Sequence, residues 1–372
     1  MTLVRDIRDI VTVHSTGAAP HLNFAEVAPP TRGPQRPPLF LLGPASEIVL
    51  HDLAAAIETP RVGCYTLTDA TLAPTGIPIK QGVALRGEAF MHPHYLVTQV
   101  ADRLNAETLP AREVGGDVVP LIGPAHETYG HWLVDFLPRL WVLHQAGYDL
   151  AALRFVVPCD MAKFGRTLLK QCGLGEAQLV QYEHWRELLV AERLILPTTL
   201  RLGDRLSPCF ATATHFWMRR AGHEPPAAPG GGALYLSRAG GQRNLVNRER
   251  IEAIAAEHGL AVIRPETMSL SEQIALFASA EVIAGEYGSA LHNSIFSGAG
   301  AAVCALRGVA RHPSLVQSGL ATAMDQDVGY VFGGTEGQGA DQGFFVMERY
   351  FSLALELIRM RKKAPAVIDT RS

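Results

Sequence analysis

The sequence predicts an α/β protein built as two halves that face each other across a cleft. Three observations predict it. From residue 117 onward, short apolar runs alternate with helix-length segments, the pattern of βαβ units and a parallel sheet. The stretch "GHEPPAAPGGGA" at 222–233 has no periodicity, is dense in proline and glycine, and divides that alternation in two. The length, 372 residues, exceeds one ordinary core and suits two domains of roughly 100–200 residues.

The elements follow in order. Residues 1–37, ending in "APPTRGPQRPP", read as an irregular arm. "LFLLG", "EIVLHD" and "RVGCYTLTD" read as strands bounded by glycine, proline and aspartate, and one helix is placed within 92–116. Then come strand "DVVPLIG", helix 127–146, strand "LRFVVP", helix 162–173, strands "QLVQY" and "LVAERLILP", and helix 208–221. After the linker come strand "ALYLSR", helix 247–258, strand "LAVIRP", helix 269–280, strand "EVIAG", helix 288–297 and strand "AAVCAL". The segment 344–363 reads as a long amphipathic helix. Its basic end suits a helix C-terminus better than a membrane surface. The expected boundaries are an N-terminal domain with its arm over 1–221, the linker 222–233, a C-terminal domain over 234–343, and a helix over 344–372 that packs back on the N-terminal domain.

Composition bounds the function. Hydrophobic residues are 48% and charged residues 19%, so the chain folds. A net charge of −3 lacks the basic excess of nucleic-acid binders, so no nucleic-acid partner is expected. The five cysteines show no CxxC pair, which argues against a disulfide framework or a structural zinc site and fits a reducing compartment. The start, "MTLVRDIRDIVTVHS", has no apolar signal region, and no apolar run of about 18 residues occurs. A cytoplasmic location is expected, with peripheral contact at the inner membrane left open.

Within 127–146, "GHWLVDFLPRL" carries His131, Asp135 and Arg139 at four-residue spacing. Four helical residues advance by about 400°, so the three lie on one stripe of an otherwise apolar helix. Such a stripe is either a buried polar network that locks the helix or part of a site. Pro138 should kink the axis and separate Arg139 from the other two. A second stretch, "GEYGSALHN" at 285–293, follows a strand and opens a helix, a place suited to phosphate. It is not the dinucleotide GxGxxG signature. A third, "YLSR", places Ser237 and Arg238 at the carboxyl end of a strand, where ligands of α/β sheets dock. Arg243 lies in the loop beyond, and Asn247 suits a helix N-cap.

Other chemistries find no support. His126 and His131 in "HETYGH" are five apart, about 140° round a helix, so they cannot ligate together as the zinc-protease pair does. His131 with Asp135 lacks a third ligand, His92 and His94 are isolated, and no GxSxG elbow occurs. No metal and no cofactor are expected.

"HWLVDFLPRL", "YLSR" with "RNLVNRE", and "VIAGEYGSALHNSIF" together resemble three ordered motifs of glycosyltransferase family 61. The likeness covers about residues 117–306. It implies a GT-B-like fold: two Rossmann-like domains facing across a cleft, with the donor held mainly by the second. It also implies an inverting, metal-independent hexosyl- or pentosyltransferase. The donor would be a nucleotide sugar, with a UDP-sugar expected first. The acceptor would be a glycan or lipid-linked hydroxyl, as in the surface polysaccharide synthesis of bacterial members. The catalytic residues would be His131 and Asp135, either of them the base. Donor binding would fall to Ser237, Arg238, Arg243, Asn247, Glu286, Tyr287, Gly288, Ser289, His292 and Asn293. One departure is Tyr287, where many members have histidine. The alternative is a non-catalytic nucleotide-sugar or glycan binding protein derived from the same family.

Overall fold

A computed structural model of the chain describes residues 3–8, 22–33, 35–45, 47–55, 57–87, 94–238, 245–308, 315–336 and 343–361. They divide into two compact units. The first takes in the described residues of 1–32, 58–202 and 206–224, the second those of 33–57, 203–205 and 225–372.

The first unit is built on a mixed sheet. Its strands run in the order Leu3–Asp6, Val83–Arg86, Ile77–Lys80, Val62–Ala73, Leu188–Pro197, Ala111–Pro120, Arg154–Pro158 and Leu179–Tyr182, with Leu22–Ala28 also pairing Val62–Ala73. The strands Leu188–Pro197, Ala111–Pro120, Arg154–Pro158 and Leu179–Tyr182 are parallel neighbours. The pairs of Val62–Ala73 with Leu188–Pro197, Leu22–Ala28 and Ile77–Lys80 are antiparallel. The expected irregular arm is therefore corrected, because parts of it are sheet. Phe24 packs tilted against Tyr65, ring centroids 4.4 Å apart, and Gly63 makes room: a Cβ there would lie 2.5 Å from the Phe24 ring.

The second unit is closer to an all-parallel sheet. Its order is Ala261–Ile263, Gly232–Leu236, Ala280–Glu286, Ala302–Gly308, Asp327–Glu336 and Gly343–Phe345, the last pairing antiparallel. Strand Ala302–Gly308 is buried along nearly its whole length, as a parallel strand covered on both faces should be. The helix Leu270–Ala278 starts on a capping box, Ser269 with Glu272.

The expected domain limits need correction in three places. Residues 33–57 belong to the second unit, because Leu41–Leu42 adds a parallel strand beside Tyr330–Val331. Phe40 anchors them over Gly329, where a Cβ would meet its ring at 2.3 Å. Within them "EIVLHD" is part of a helix, Glu47–Ala54, that buries Val49 and exposes Leu50; an apolar run this short fits either structure. The linker is partly built in: Gly232 already begins a strand, and Ala228 closes on Gly298. The last helix, Glu348–Arg361, packs within the second unit. Phe351, Ala354, Leu355 and Ile358 form its buried stripe in the core around Tyr235 and Val331. Its basic end is engaged there too: Arg361 donates to the Gly300 carbonyl at 2.8 Å, and Arg359 to that of His258. All five cysteines are free, and among the described residues no helix is long and apolar enough to cross a membrane.

Candidate active site

The segment expected as one helix over 127–146 has three parts: Tyr129–His131 is α-helical, Trp132–Phe136 is a π turn, and Pro138–Gln145 is α-helical. Pro138 explains the change. It has no N–H to donate to the preceding turn, and its ring crowds that turn. The chain widens instead, and the Leu137 N–H bonds the Trp132 carbonyl at 2.9 Å. Such π turns often mark functional positions.

His131 and Asp135 still meet. His131 Nδ1 lies 2.6 Å from Asp135 Oδ2. Arg201, from a short strand far along the chain, completes the group. Its Nε donates to Asp135 Oδ1 at 2.8 Å, and its Nη2 to Oδ2 at 2.9 Å. The Asp135 side chain is 1% exposed, that of His131 32%. Burial by itself would raise the Asp135 pKa. The charge of Arg201 and the hydrogen bonds from His131 and Arg201 outweigh it, and hold the carboxyl well below the usual range. An ionised carboxylate only accepts, so His131 carries its proton on Nδ1. In the neutral ring the lone pair is then on Nε2, and the ring is partly exposed.

Arg139 does not join them. It is 3% exposed, with its guanidinium 5.1 Å over the Phe136 ring, and among the described residues no carboxylate pairs with it. Burial lowers its pKa to about 10, against the opposing charge of Asp135.

In the second unit the expected donor residues separate into two groups. Some are held by structural bonds. Ser237 is fully buried and donates to Glu252 at 2.6 Å. Glu286 accepts from Arg248 at 3.0 Å and from the Leu245 N–H at 3.2 Å. The Asn247 side chain does not cap its helix; it clasps the backbone of Val346 through both amide atoms, at 2.8 and 3.2 Å. Asn293 is buried and donates to Gln273 at 2.7 Å.

The others gather at neighbouring strand ends. Leu236 lies opposite Gly285 in the sheet, so Arg238 and the turn at 287–289 come together. A Cβ built on Gly288 would sit 3.6 Å from Arg238 Nη1. Gly288 is in extended backbone, so its conformation does not require glycine. Gly285 serves strand packing, since a Cβ there would crowd Leu236 at 2.8 Å. Tyr287 lies under Arg307, whose guanidinium is 4.5 Å from the ring centroid. The helix expected at 288–297 is a 3₁₀ helix, Ser289–Phe296, with Ser289 and His292 half-buried. Two guanidinium groups thus flank the turn, and the neighbouring acid Glu286 is paired with Arg248. Arg243 lies outside the described residues.

Residues 129–304 match the family model described as Glycosyltransferase 61. Over this segment the chain is similar to glycosyltransferase family 61. The match spans just under half of the chain and takes in His131, Asp135, Arg201, Arg238 and the turn at 287–289. The likeness supports sugar transfer from a sugar donor to a glycan acceptor. No curated protein is matched significantly.

Sequence reasoning missed Arg201, Arg248 and Arg307. Arg307 had a usable signal, a cation ending an otherwise apolar strand of a parallel sheet. Arg201 had none, because nothing in "TTLRLGD" marks it as a partner of Asp135.

Proposed function

We propose that this family 61-like domain catalyses inverting, metal-independent transfer of a hexosyl or pentosyl unit from a nucleotide sugar to a hydroxyl of a glycan or lipid-linked acceptor. His131 is the general base. Its Nε2 takes the proton of the acceptor hydroxyl as oxygen attacks the anomeric carbon. Asp135 is a positioning residue: it fixes the tautomer and stabilises the imidazolium that forms, and Arg201 keeps it ionised. Asp135 itself is a poor base, since both oxygens are engaged and the group is buried. The observation that carries the reading is this relay, held by burial behind a partly exposed imidazole.

In the second unit, Arg238, Arg307 and the first N–H groups of the 3₁₀ helix would stabilise the diphosphate leaving group. A UDP-sugar is the first donor to try. Ser237, Asn247, Glu286 and Asn293 then shape the turn from behind and do not touch the donor.

The test is donor hydrolysis and transfer across a panel of UDP-sugars, with wild type beside His131→Ala and Arg238→Ala. Wild-type turnover lost in the first variant, and nucleotide affinity lost in the second, is expected. Nucleotide-sugar binding without turnover in wild type would leave only the binding-protein alternative.

A further inference from the structure

The transferase reading leaves one cluster unused. His126, Asp160 and His184 lie in the turns that follow the strands Ala111–Pro120, Arg154–Pro158 and Leu179–Tyr182. Those strands are adjacent and parallel, so their carboxyl ends bring the three side chains together. One ligand-capable atom from each lies within 4.8 Å of the others. His126 Nε2 is 4.0 Å from Asp160 Oδ1, and His184 Nδ1 is 3.8 Å from the same oxygen.

These distances are too long for hydrogen bonds. Both imidazole nitrogens are buried, and among the described residues neither has a hydrogen-bond partner. His126 and His184 are only 9% and 7% exposed. Two buried nitrogens therefore point at one carboxylate oxygen across a gap that none of the three fills. The far side of His126 is already fixed: Nδ1 lies 3.0 Å from the Gly123 carbonyl. A carbonyl accepts only, so Nδ1 bears a proton, and in the neutral ring Nε2 presents its lone pair inward. Metal-bound histidines are oriented in the same way.

We propose that His126, His184 and Asp160 form a binding site for a divalent transition ion such as Zn²⁺, with water completing the shell. Two imidazoles and a carboxylate suit zinc and its neighbours, not calcium or magnesium. Tetrahedral coordination at about 2.0–2.1 Å would draw the ligand atoms to roughly 3.3 Å apart. Asp160, 58% exposed, is free to make that move. The role is a brace. Trp132 Nε1 donates to the His126 carbonyl at 2.7 Å, so the ion would fix the loop against which the His131 helix starts. The site is separate from the transfer chemistry and stands or falls without it.

The experiment uses the full chain, stripped with chelator and titrated with Zn²⁺ by calorimetry and with Co²⁺ as an optical probe. One Zn²⁺ per chain, a higher Tm on loading, and a visible Co²⁺ spectrum of nitrogen–oxygen ligation are expected. Asp160→Ala and His184→Ala should each weaken Zn²⁺ by more than the roughly 10–100-fold that losing an outer-sphere partner costs. Asp160 is exposed, so Asp160→Ala should leave the Tm of the metal-free chain unchanged and carries the test even if His184→Ala unfolds. Absence of uptake overturns the proposal. So does weak uptake at several sites, or uptake that Asp160→Ala does not alter.

Discussion

Removing Arg201 tests the electrostatics of the relay. Arg201→Met keeps the stem and deletes the guanidinium that reaches Asp135 at 2.8 and 2.9 Å. The carboxylate left behind is 1% exposed and cannot be rehydrated without opening the π turn. Breaking one side of a buried ion pair costs about 3–5 kcal/mol. Two charge-assisted hydrogen bonds at roughly 1.5–3 kcal/mol each bracket the same range. The variant should therefore lose about 3–5 kcal/mol, and the Asp135 pKa should rise as burial loses its main opponent. All four tryptophans lie in the first unit, so their fluorescence in a urea titration follows that unit alone. Asp135→Asn in the Arg201→Met background should recover part of the loss, because no charge is then left buried. A loss below about 1 kcal/mol, the worth of an exposed pair, would refute the reasoning.

The same depressed carboxyl sets the acid response. Its stabilisation is complete above the ordinary value of 3.8 and is lost as pH falls toward the lower folded value. Asp135→Asn should flatten that part of the acid unfolding curve, and an unaltered curve would count against it. Gly288→Val should leave the fold intact, since a Cβ there meets only Arg238 at 3.6 Å, yet abolish nucleotide binding; normal binding would remove the turn from the donor site. Arg238→Ala should weaken nucleotide binding by roughly 1.5–3 kcal/mol, with unchanged affinity in a folded variant as the contrary result. Chelated enzyme held below its melting temperature should keep its turnover; if a divalent ion is needed to restore it, the metal-independent mechanism is wrong.

What could be read from the sequence was local. Strands such as Ala302–Gly308 announce themselves because burial on both faces demands an unbroken apolar run. His131 and Asp135 were legible because helical spacing alone puts them within reach. The π turn was not, since Pro138 could equally have kinked the helix. Arg201 is 66 positions from Asp135, and only the fold brings them together. The His126, Asp160 and His184 group is invisible for the same reason: its spacing follows three strand ends, not one helix. Asn247, Glu286 and Asn293 looked like donor contacts because they sit in the motifs, but buried polar groups first satisfy one another.

The central claim is that His131 takes the acceptor proton. Its most direct test is turnover per folded molecule in His131→Ala, measured beside donor affinity and the melting curve. Loss of a general base typically costs on the order of 10²–10⁴-fold, so turnover should fall by that order while donor affinity and Tm stay close to wild type. Near-normal turnover in a folded variant would contradict the account and leave His131 as part of a network that only locks its helix.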